Sequence, residues 1–205
     1  MPSRLWYRLR YPRDLATVLT LNAPRGADEL KALYELGRSA PAGGHIVEIG
    51  SFHGSSAVAL ALGSRKGNGQ RVYSIDPYEP FSPPGERRTY GPSDRIPLLR
   101  NLLRGGVVEN VWLINLPSHQ AARAWSDPIS LLWIDGDHSY EGAKRDLDCF
   151  GSFLLPGGMI AFDDATDPAL GPSRVIEEAV AAGRLERMAM HGKIAVLRRG
   201  ASFQA

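Results

Sequence analysis

The sequence predicts an α/β fold of the Rossmann-like type: a doubly wound, seven-stranded sheet that is mostly parallel and carries an antiparallel C-terminal hairpin. Three observations predict it. Short, nearly continuous apolar runs alternate with helical patterns, as in a parallel sheet that helices cover on both faces. A turn containing two glycines follows the first run. Two further apolar runs, on either side of His191 and Gly192, close the chain.

Each expected strand is one of these apolar runs. The expected parallel strands cover residues 45–49, 71–75, 111–115, 129–134 and 159–162. The two closing runs, at 185–190 and 193–197, are expected to form a hairpin because the His191-Gly192 pair suits a tight turn. A plain dinucleotide-binding fold lacks such a hairpin, so this ending favours another branch of the Rossmann-like folds.

The segments between the strands have the spacing of amphipathic helices. The expected helices cover residues 55–62, 93–104, 118–125, 140–153 and a stretch from Gly171-Pro172 to about 182. Serines open three of them and can cap the exposed amide groups of a first turn. An additional helix at 28–38 is expected to pack before the first strand. Strands that alternate with helices in this way predict parallel, crossover-connected pairing.

The chain has 205 residues, of which 43% are hydrophobic and 22% charged, so it can bury one sizeable core. We therefore expect one domain over residues 1–205, with an N-terminal helical or lid segment at 1–40 and a cofactor-binding core at 41–200. The proline-rich stretch from Pro77 to Pro92 cannot form a continuous helix. We expect it to be a lid over the ligand crevice, with a flexible insertion as the alternative.

The composition of the chain indicates which kinds of binding partner to expect. A formal charge of +2 without a basic block argues against nucleic acid and favours a small-molecule partner. Apolar runs are too short to span a membrane, and the basic, aromatic start at residues 4–11 is expected to dock on its own domain rather than on a lipid surface. The single cysteine, Cys149, fits a reducing compartment, so we expect a cytoplasmic protein. The sequence leaves open whether the protein forms a homo-oligomer.

The glycine turn lies where the first strand meets the next helix and reads Glu48-Ile-Gly50-Ser51-Phe52-His-Gly54-Ser55. Glycine lets backbone amides approach a ligand closely at such a junction. The dinucleotide fingerprint needs G-x-G-x-x-G, yet Phe52 stands at its second glycine. The spacing thus argues against a nicotinamide or flavin cofactor.

Asp76 ends the second strand, at the position where an acid binds ribose hydroxyls in doubly wound folds. At this point the chain resembles the class I S-adenosylmethionine-dependent methyltransferases over residues 28–198. The resemblance implies that the turn holds the methionine end of the cofactor, that Asp76 binds the ribose, and that the loop to Ser118 lies near the adenine. The alternative for these polar residues is helix capping or surface pairing.

A second group of acids follows the fourth and fifth expected strands, in the runs Ile134-Asp135-Gly-Asp-His138-Ser-Tyr-Glu-Gly142 and Phe162-Asp163-Asp164. These runs resemble those of small bacterial methyltransferases related to macrocin O-methyltransferase and to cephalosporin-hydroxylase-like proteins. The resemblance implies a magnesium ion bound by Asp135, Asp163 and Asp164, and hard oxygen ligands suit Mg²⁺. The alternative is that the acids cap loops or contact the cofactor and that no metal binds.

His138 follows Asp135 by three positions, where catechol-type methyltransferases have a lysine base, so the resemblance implies a proton acceptor there. An imidazole that titrates near neutrality suits this role, and Asp137 is expected to hold the tautomer of the ring. The alternative is that His138 caps the helix or pairs with Asp137. The expected function is methyl transfer from S-adenosylmethionine to a hydroxyl of a small molecule (a sugar, a catechol-like ring or a natural-product intermediate), with Mg²⁺ assisting and His138 and Asp135 as catalytic residues. The alternatives are a non-catalytic S-adenosylmethionine-binding accessory protein and an NAD-dependent oxidoreductase.

Overall fold

A computed structural model of the chain describes residues 4–21, 25–82 and 88–203. Its described part contains a seven-stranded sheet with the order β3-β2-β1-β4-β5-β7-β6. The strands are β1 (His45–Ile49), β2 (Val72–Ile75), β3 (Val111–Ile114), β4 (Ile129–Ile134), β5 (Leu154–Phe162), β6 (Leu185–His191) and β7 (Ile194–Arg199). The pairs from β3 to β5 are parallel, whereas β7 runs antiparallel to β5 and to β6. The predicted fold class is confirmed.

Helices cover both faces of the sheet. They are α1 (Arg4–Arg10), α2 (Arg13–Leu19), α3 (Ala27–Ser39), α4 (Ser55–Lys66), α5 (Arg95–Gly105), α6 (Ser118–Ala121), α7 (Tyr140–Phe150) and α8 (Gly171–Ala181). Side chains alternate between the two faces of a strand. Ile46 therefore packs in the apolar layer shared with α2 to α5, and Val47 packs in the layer shared with α7 and α8.

The additional helix α3 is locked against α4 by glycines that admit no side chain. A Cβ atom on Gly63 would lie 1.9 Å from the carbonyl oxygen of Tyr34, and one on Gly37 would lie 2.3 Å from that of Leu60. The two helix backbones thus approach each other closely. This contact fixes α3 beside the sheet, and Arg25, two residues before the helix, reaches the carboxyl ends of β4 and β5.

The structure departs from several of the expected bounds; for example, α4 extends to Lys66 rather than ending at 62, and α7 ends at Phe150 rather than at 153. Strand β5 begins at Leu154 rather than at 159, and the helix expected over 118–125 ends at Ala121 and continues as a 3₁₀ turn. The segment at 1–40 contains α1 and α2 besides α3, and α2 buries Val18 completely. None of the helices in the described ranges is long and apolar enough to cross a membrane.

The described ends of the expected lid over 77–92 pair with each other. Phe81 and Tyr90 exchange two backbone hydrogen bonds, of 3.0 and 2.7 Å. Tyr78 is buried, and its hydroxyl donates to the carbonyl of Phe52 at 2.9 Å. The described parts of this loop are therefore attached to the glycine turn, while its residues 83–87 lie outside the described residues.

Candidate active site

The glycine turn after β1 has a backbone that favours glycine. Gly50 has a φ of 87° and Gly54 a φ of 72°, both in the left-handed region. A Cβ atom on Gly50 would lie 2.1 Å from the carbonyl oxygen of Asp135, which follows β4. The turn and the acid-bearing segment after β4 are therefore in direct backbone contact, because β1 and β4 are neighbours in the sheet.

Asp76 comes to the same turn from the end of β2. One of its carboxylate oxygens accepts the amide hydrogens of Ser51 at 2.9 Å and Phe52 at 3.1 Å, and the other accepts that of Tyr78 at 2.9 Å. Asp76 is half-buried, and carboxylate oxygens have lone pairs for further donors. The structure thus gives Asp76 a role in shaping the turn and leaves it within reach of a ligand in the crevice.

Glu48 lies beneath the turn and is fully buried. The hydroxyl of Ser74 donates to its Oε2 at 2.5 Å, and Ser74 in turn contacts the hydroxyl of Ser51. Burial raises the pKa of Glu48 to about 7, although hydrogen bonds from Ser56 and Ser74 partly counteract it. Among the described residues its Oε1 has no hydrogen-bond partner. Glu48 therefore supports the turn from below.

The second acid group forms a compact cluster at the paired ends of β4 and β5, because Ile134 and Phe162 are partners in the sheet. His138 lies between two of the acids. Its Nδ1 is 2.9 Å from Oδ2 of Asp164, and its Nε2 is 3.5 Å from Oδ1 of Asp135. These residues lie together as the sequence predicted, since parallel neighbours end at the same edge of a sheet.

Two cations that were not predicted from the sequence complete the cluster. The Arg25 guanidinium donates to Asp135 and, at 2.9 Å, to Asp163. Lys193 lies 2.7 Å from Asp164 and 3.1 Å from Asp163. The expected hairpin would have revealed Lys193, because a strand antiparallel to β5 begins where β5 ends. No sequence pattern points to Arg25, which lies 110 positions before Asp135.

Comparison with known proteins identifies the family. Residues 47–165, more than half of the chain, match the methyltransferase domain family. The chain belongs to this methyltransferase family. The prediction of a class I S-adenosylmethionine-dependent methyltransferase is confirmed by this match together with the fold, which decides against the nicotinamide oxidoreductase.

Solved structures of methyltransferases share the fold of this methyltransferase over nearly its whole length. The O-methyltransferase from Bacillus cereus in complex with SAH is 19% identical, with a TM-score of 0.68 and coverage of 93% of this chain and 91% of that chain. The O-methyltransferase NovP is 16% identical, with a TM-score of 0.66 and coverage of 85% and 81%. CalS11, a calicheamicin methyltransferase, is 18% identical, with a TM-score of 0.62 and coverage of 97% and 93%.

Ser118, which is expected to lie near the adenine of the cofactor, forms a buried pair with Asp146. Ser118 donates its hydroxyl to Asp146 at 2.5 Å, and burial raises the pKa of Asp146 to about 6. Asp146 lies on the otherwise apolar face of α7, next to Leu147. An acid on an apolar helix face was the signal in the sequence, and it was missed. Ser55, the other serine assigned to the cofactor, is buried at the start of α4.

The acid cluster perturbs the pKa of its members. Burial lowers the pKa of His138, but hydrogen bonds with Asp135 and Asp164 outweigh burial and raise it to about 10. Hydrogen bonds from His138 and Lys193 lower the pKa of Asp164. The two acids therefore favour the protonated ring of His138, whereas the sequence suggested an imidazole that titrates near neutrality. Asp137, expected to orient His138, instead accepts the amide hydrogen of Ser139 at 2.9 Å.

The donor atoms of the cluster fit a cation. Among the described residues, ligand atoms of Asp135, His138 and Asp163 lie within 4.8 Å of one another. Asp164, the third expected ligand, instead faces His138 and Lys193. Asp163 is 2% exposed, and within the described structure its Oδ1 has no hydrogen-bond partner. A buried carboxylate oxygen without a donor is costly, so this atom favours a ligand in the cluster.

The raised pKa of Glu48 predicts how the free energy of unfolding depends on pH. Because the pKa of Glu48 in the folded protein lies above its ordinary value of 4.5, the folded state holds this proton more tightly than the unfolded state. The free energy of unfolding should therefore fall as pH rises from about 4.5 to about 7, by roughly 3 kcal/mol. Glu48→Gln has no proton to lose and should lack this fall. Urea unfolding of both proteins at about pH 5 and about pH 8 measures the difference, and equal falls would contradict it.

Proposed function

We propose that this methyltransferase transfers the methyl group of S-adenosylmethionine to a hydroxyl oxygen of a small molecule. The observation that carries the proposal is the contact between Gly50 in the glycine turn and Asp135 in the acid cluster. It joins a turn suited to the cofactor with residues suited to accept a proton. A cofactor seated on the turn would have its reactive end close to these residues.

The cofactor site rests on the residues around the turn. Backbone amides of the turn and the carboxylate of Asp76 would bind the polar groups of the methionine and ribose parts, and the loop at Ser118 would lie beside the adenine. The O-methyltransferase from B. cereus was solved in complex with SAH, which supports the same cofactor type for this fold. The residues proposed to contact the cofactor are Glu48, Gly50, Ser51, Phe52, Gly54, Ser55, Asp76, Ser118 and Asp135.

Methyl transfer from a sulfonium to a hydroxyl forms a carbon–oxygen bond, breaks the sulfur–carbon bond and releases the hydroxyl proton. Asp135, and His138 once its ring is neutral, are placed to receive that proton, and positioning of the acceptor supplies most of the acceleration. Asp164 orients His138 through the 2.9 Å contact. A sugar, a catechol-like ring or a natural-product intermediate offers a suitable hydroxyl.

A magnesium ion belongs to the same proposal. Asp135 and Asp163 would hold it, with His138 and Asp164 beside them. When bound, such a cation supplies positive charge that favours ionisation of an acceptor hydroxyl. The unpartnered Oδ1 of Asp163 and the hard oxygens of both carboxylates support this assignment.

The acceptor side is proposed to be shaped by the N-terminal segment at 1–40 and by the loop at 77–92, within one domain over residues 1–205. Arg25 of the first segment reaches the acid cluster, and the Arg88 guanidinium of the loop lies 4.1 Å from the centre of the Phe52 ring. Both segments therefore border the crevice. A cytoplasmic location fits the single cysteine, Cys149.

The proposal is tested with methyl-labelled S-adenosylmethionine and a panel of catechols, glycosides and phenolic natural products. We expect S-adenosylmethionine, but not NAD, to raise the unfolding temperature, and we expect label to appear in an ether-linked methyl group of at least one acceptor. Tight cofactor binding without transfer to any acceptor would support the accessory protein. Protection by NAD alone would overturn the proposal.

A further inference from the structure

Arg25 occupies the centre of the acid cluster. Its guanidinium bridges Asp135 and Asp163, and its side chain is only 10% exposed. Its Cζ atom lies 5.3 Å from the centre of the buried Trp133 ring, and Glu29 lies 4.0 Å from its Nη1. Carboxylates and an aromatic ring thus surround Arg25. Such an enclosed guanidinium occupies a defined place in the site and does not lie loosely on the surface.

We infer that Arg25 and a divalent cation are alternative occupants of the position between Asp135 and Asp163, so that Arg25 sets the affinity of the site for the cation. This inference rests on the proposed function, in which the same two carboxylates hold Mg²⁺. It concerns a residue of the N-terminal segment that no sequence motif connects with the acids.

The geometry of the cluster prevents Arg25 and a divalent cation from occupying the position between Asp135 and Asp163 together. Magnesium binds oxygen at about 2.0–2.1 Å in a nearly ideal octahedron, so it needs carboxylate lone pairs that point towards it. The guanidinium already takes one oxygen of each carboxylate, Oδ2 of Asp135 and Oδ2 of Asp163. A divalent cation bound to both acids would meet the guanidinium at contact distance.

Charge leads to the same conclusion. The carboxylates of Asp135, Asp163 and Asp164 already face two basic side chains besides His138, because Lys193 contacts the latter two acids while Arg25 contacts the first two. Adding a divalent cation without removing Arg25 would place like charges side by side in a largely buried site, where repulsion is weakly screened. Withdrawal of Arg25 leaves the two acids free to bind the cation.

The consequence is a reduced apparent affinity in the wild-type protein. When a binding-competent state is only a fraction of the population, the apparent Kd rises by the inverse of that fraction. If Arg25 holds the position in about nine of ten molecules, its removal tightens cation binding about tenfold. A shorter lysine, which cannot bridge both acids with a planar fork, should give an intermediate effect.

The experiment measures Mg²⁺ binding by calorimetric titration with MgCl₂ in the wild-type protein, Arg25→Ala, Arg25→Gln and Arg25→Lys. Arg38→Ala is the matched control, because Arg38 also belongs to this region but pairs with the exposed Glu35 on the same helix. Thermal unfolding is followed with MgCl₂ and with NaCl at equal ionic strength, so that specific binding is separated from screening. Arg25→Gln keeps much of the side-chain volume if Arg25→Ala fails to fold.

We expect Arg25→Ala and Arg25→Gln to bind Mg²⁺ at least about tenfold more tightly than the wild type, with Arg25→Lys between them and Arg38→Ala unchanged. Equal affinity in the wild type and both neutral variants, or no binding in any of them, would overturn the inference. Methyl transfer by the wild type is measured separately. Transfer without a change in Mg²⁺ affinity refutes the role of Arg25 alone, whereas changed affinity without transfer refutes the proposed function.

Discussion

Gly50→Ala should abolish S-adenosylmethionine binding and lower the free energy of unfolding by at least about 3 kcal/mol. The backbone of Gly50 has a φ of 87°, which strains any residue with a Cβ atom. The added carbon would also lie 2.1 Å from the carbonyl oxygen of Asp135, well inside contact distance. Relief requires the glycine turn and the segment after β4 to separate, which breaks up the proposed cofactor site.

Gly69→Ala is the matched control for this substitution. Gly69 has a φ of 68°, but a Cβ atom there meets no described atom within 4 Å. Its cost should therefore be the backbone strain alone, about 1–2 kcal/mol, with cofactor binding unchanged. Urea unfolding and calorimetric titration with S-adenosylmethionine measure both effects. Wild-type cofactor affinity in Gly50→Ala would show that the turn does not form the cofactor site.

Local signals were enough to predict the central strands. Strands β1 and β4 are buried apolar runs, and both have the bounds that the sequence predicted. The start of β5 was placed too late because Pro156, Gly157 and Gly158 resemble a turn. The structure continues the strand through these residues, with Gly157 at a φ of 76°. The pairing of Ile129 with Leu154 across the sheet outweighs the local turn preference.

The acids of the site were predictable for a reason of topology. Asp76, Asp135 and Asp163 each follow a parallel strand, and the sheet order brings those ends to one edge. Arg25 was not predictable, because its position depends on how α3 packs against α4 and not on any pattern near the acids. A side chain that arrives from a distant segment leaves no periodic signal in the sequence.

The carboxylate that contacts His138 was also not predictable from the sequence. Asp137, its neighbour in the sequence, points instead to the amide of Ser139 at the start of α7. Asp164, which follows β5 and has a φ of 50°, contacts the ring of His138 in its place. Adjacency in the chain suggested one carboxylate, and the pairing of β4 with β5 supplied another.

His138→Ala should lower kcat by about 10²–10⁴-fold while leaving the Kd for S-adenosylmethionine nearly unchanged. The imidazole is expected to take the proton of the acceptor hydroxyl, and alanine cannot do so. His45→Ala is the control, because His45 lies at the opposite end of β1 and pairs only loosely with Asp127, at 3.7 Å. Wild-type turnover in His138→Ala would remove the base role.

Measuring the pKa of His138 helps to distinguish two roles for this residue: a catalytic base, or a residue that only orients the acids. Because two carboxylates raise this pKa to about 10, the folded protein holds the imidazolium more tightly than the unfolded chain. The resulting stabilisation is fully present below about pH 6.5 and is lost as pH rises through about 10. Asp164→Asn removes one carboxylate and should lower the pKa, which nuclear magnetic resonance titration of the ring measures directly.

The same substitution should move the pH dependence of kcat/KM. If His138 is the base, only its neutral form is active, so turnover rises with pH as the proton leaves. Asp164→Asn then shifts that rise to lower pH, in step with the pKa of the ring, even if it also lowers the maximal rate. A residue that merely holds Asp135 and Asp164 apart would change the rate without moving the midpoint. A midpoint that stays fixed while the ring pKa falls would assign the proton to another group. In Asp164→Asn the nearest remaining carboxylate is that of Asp135, whose Oδ1 lies 3.5 Å from Nε2 of His138.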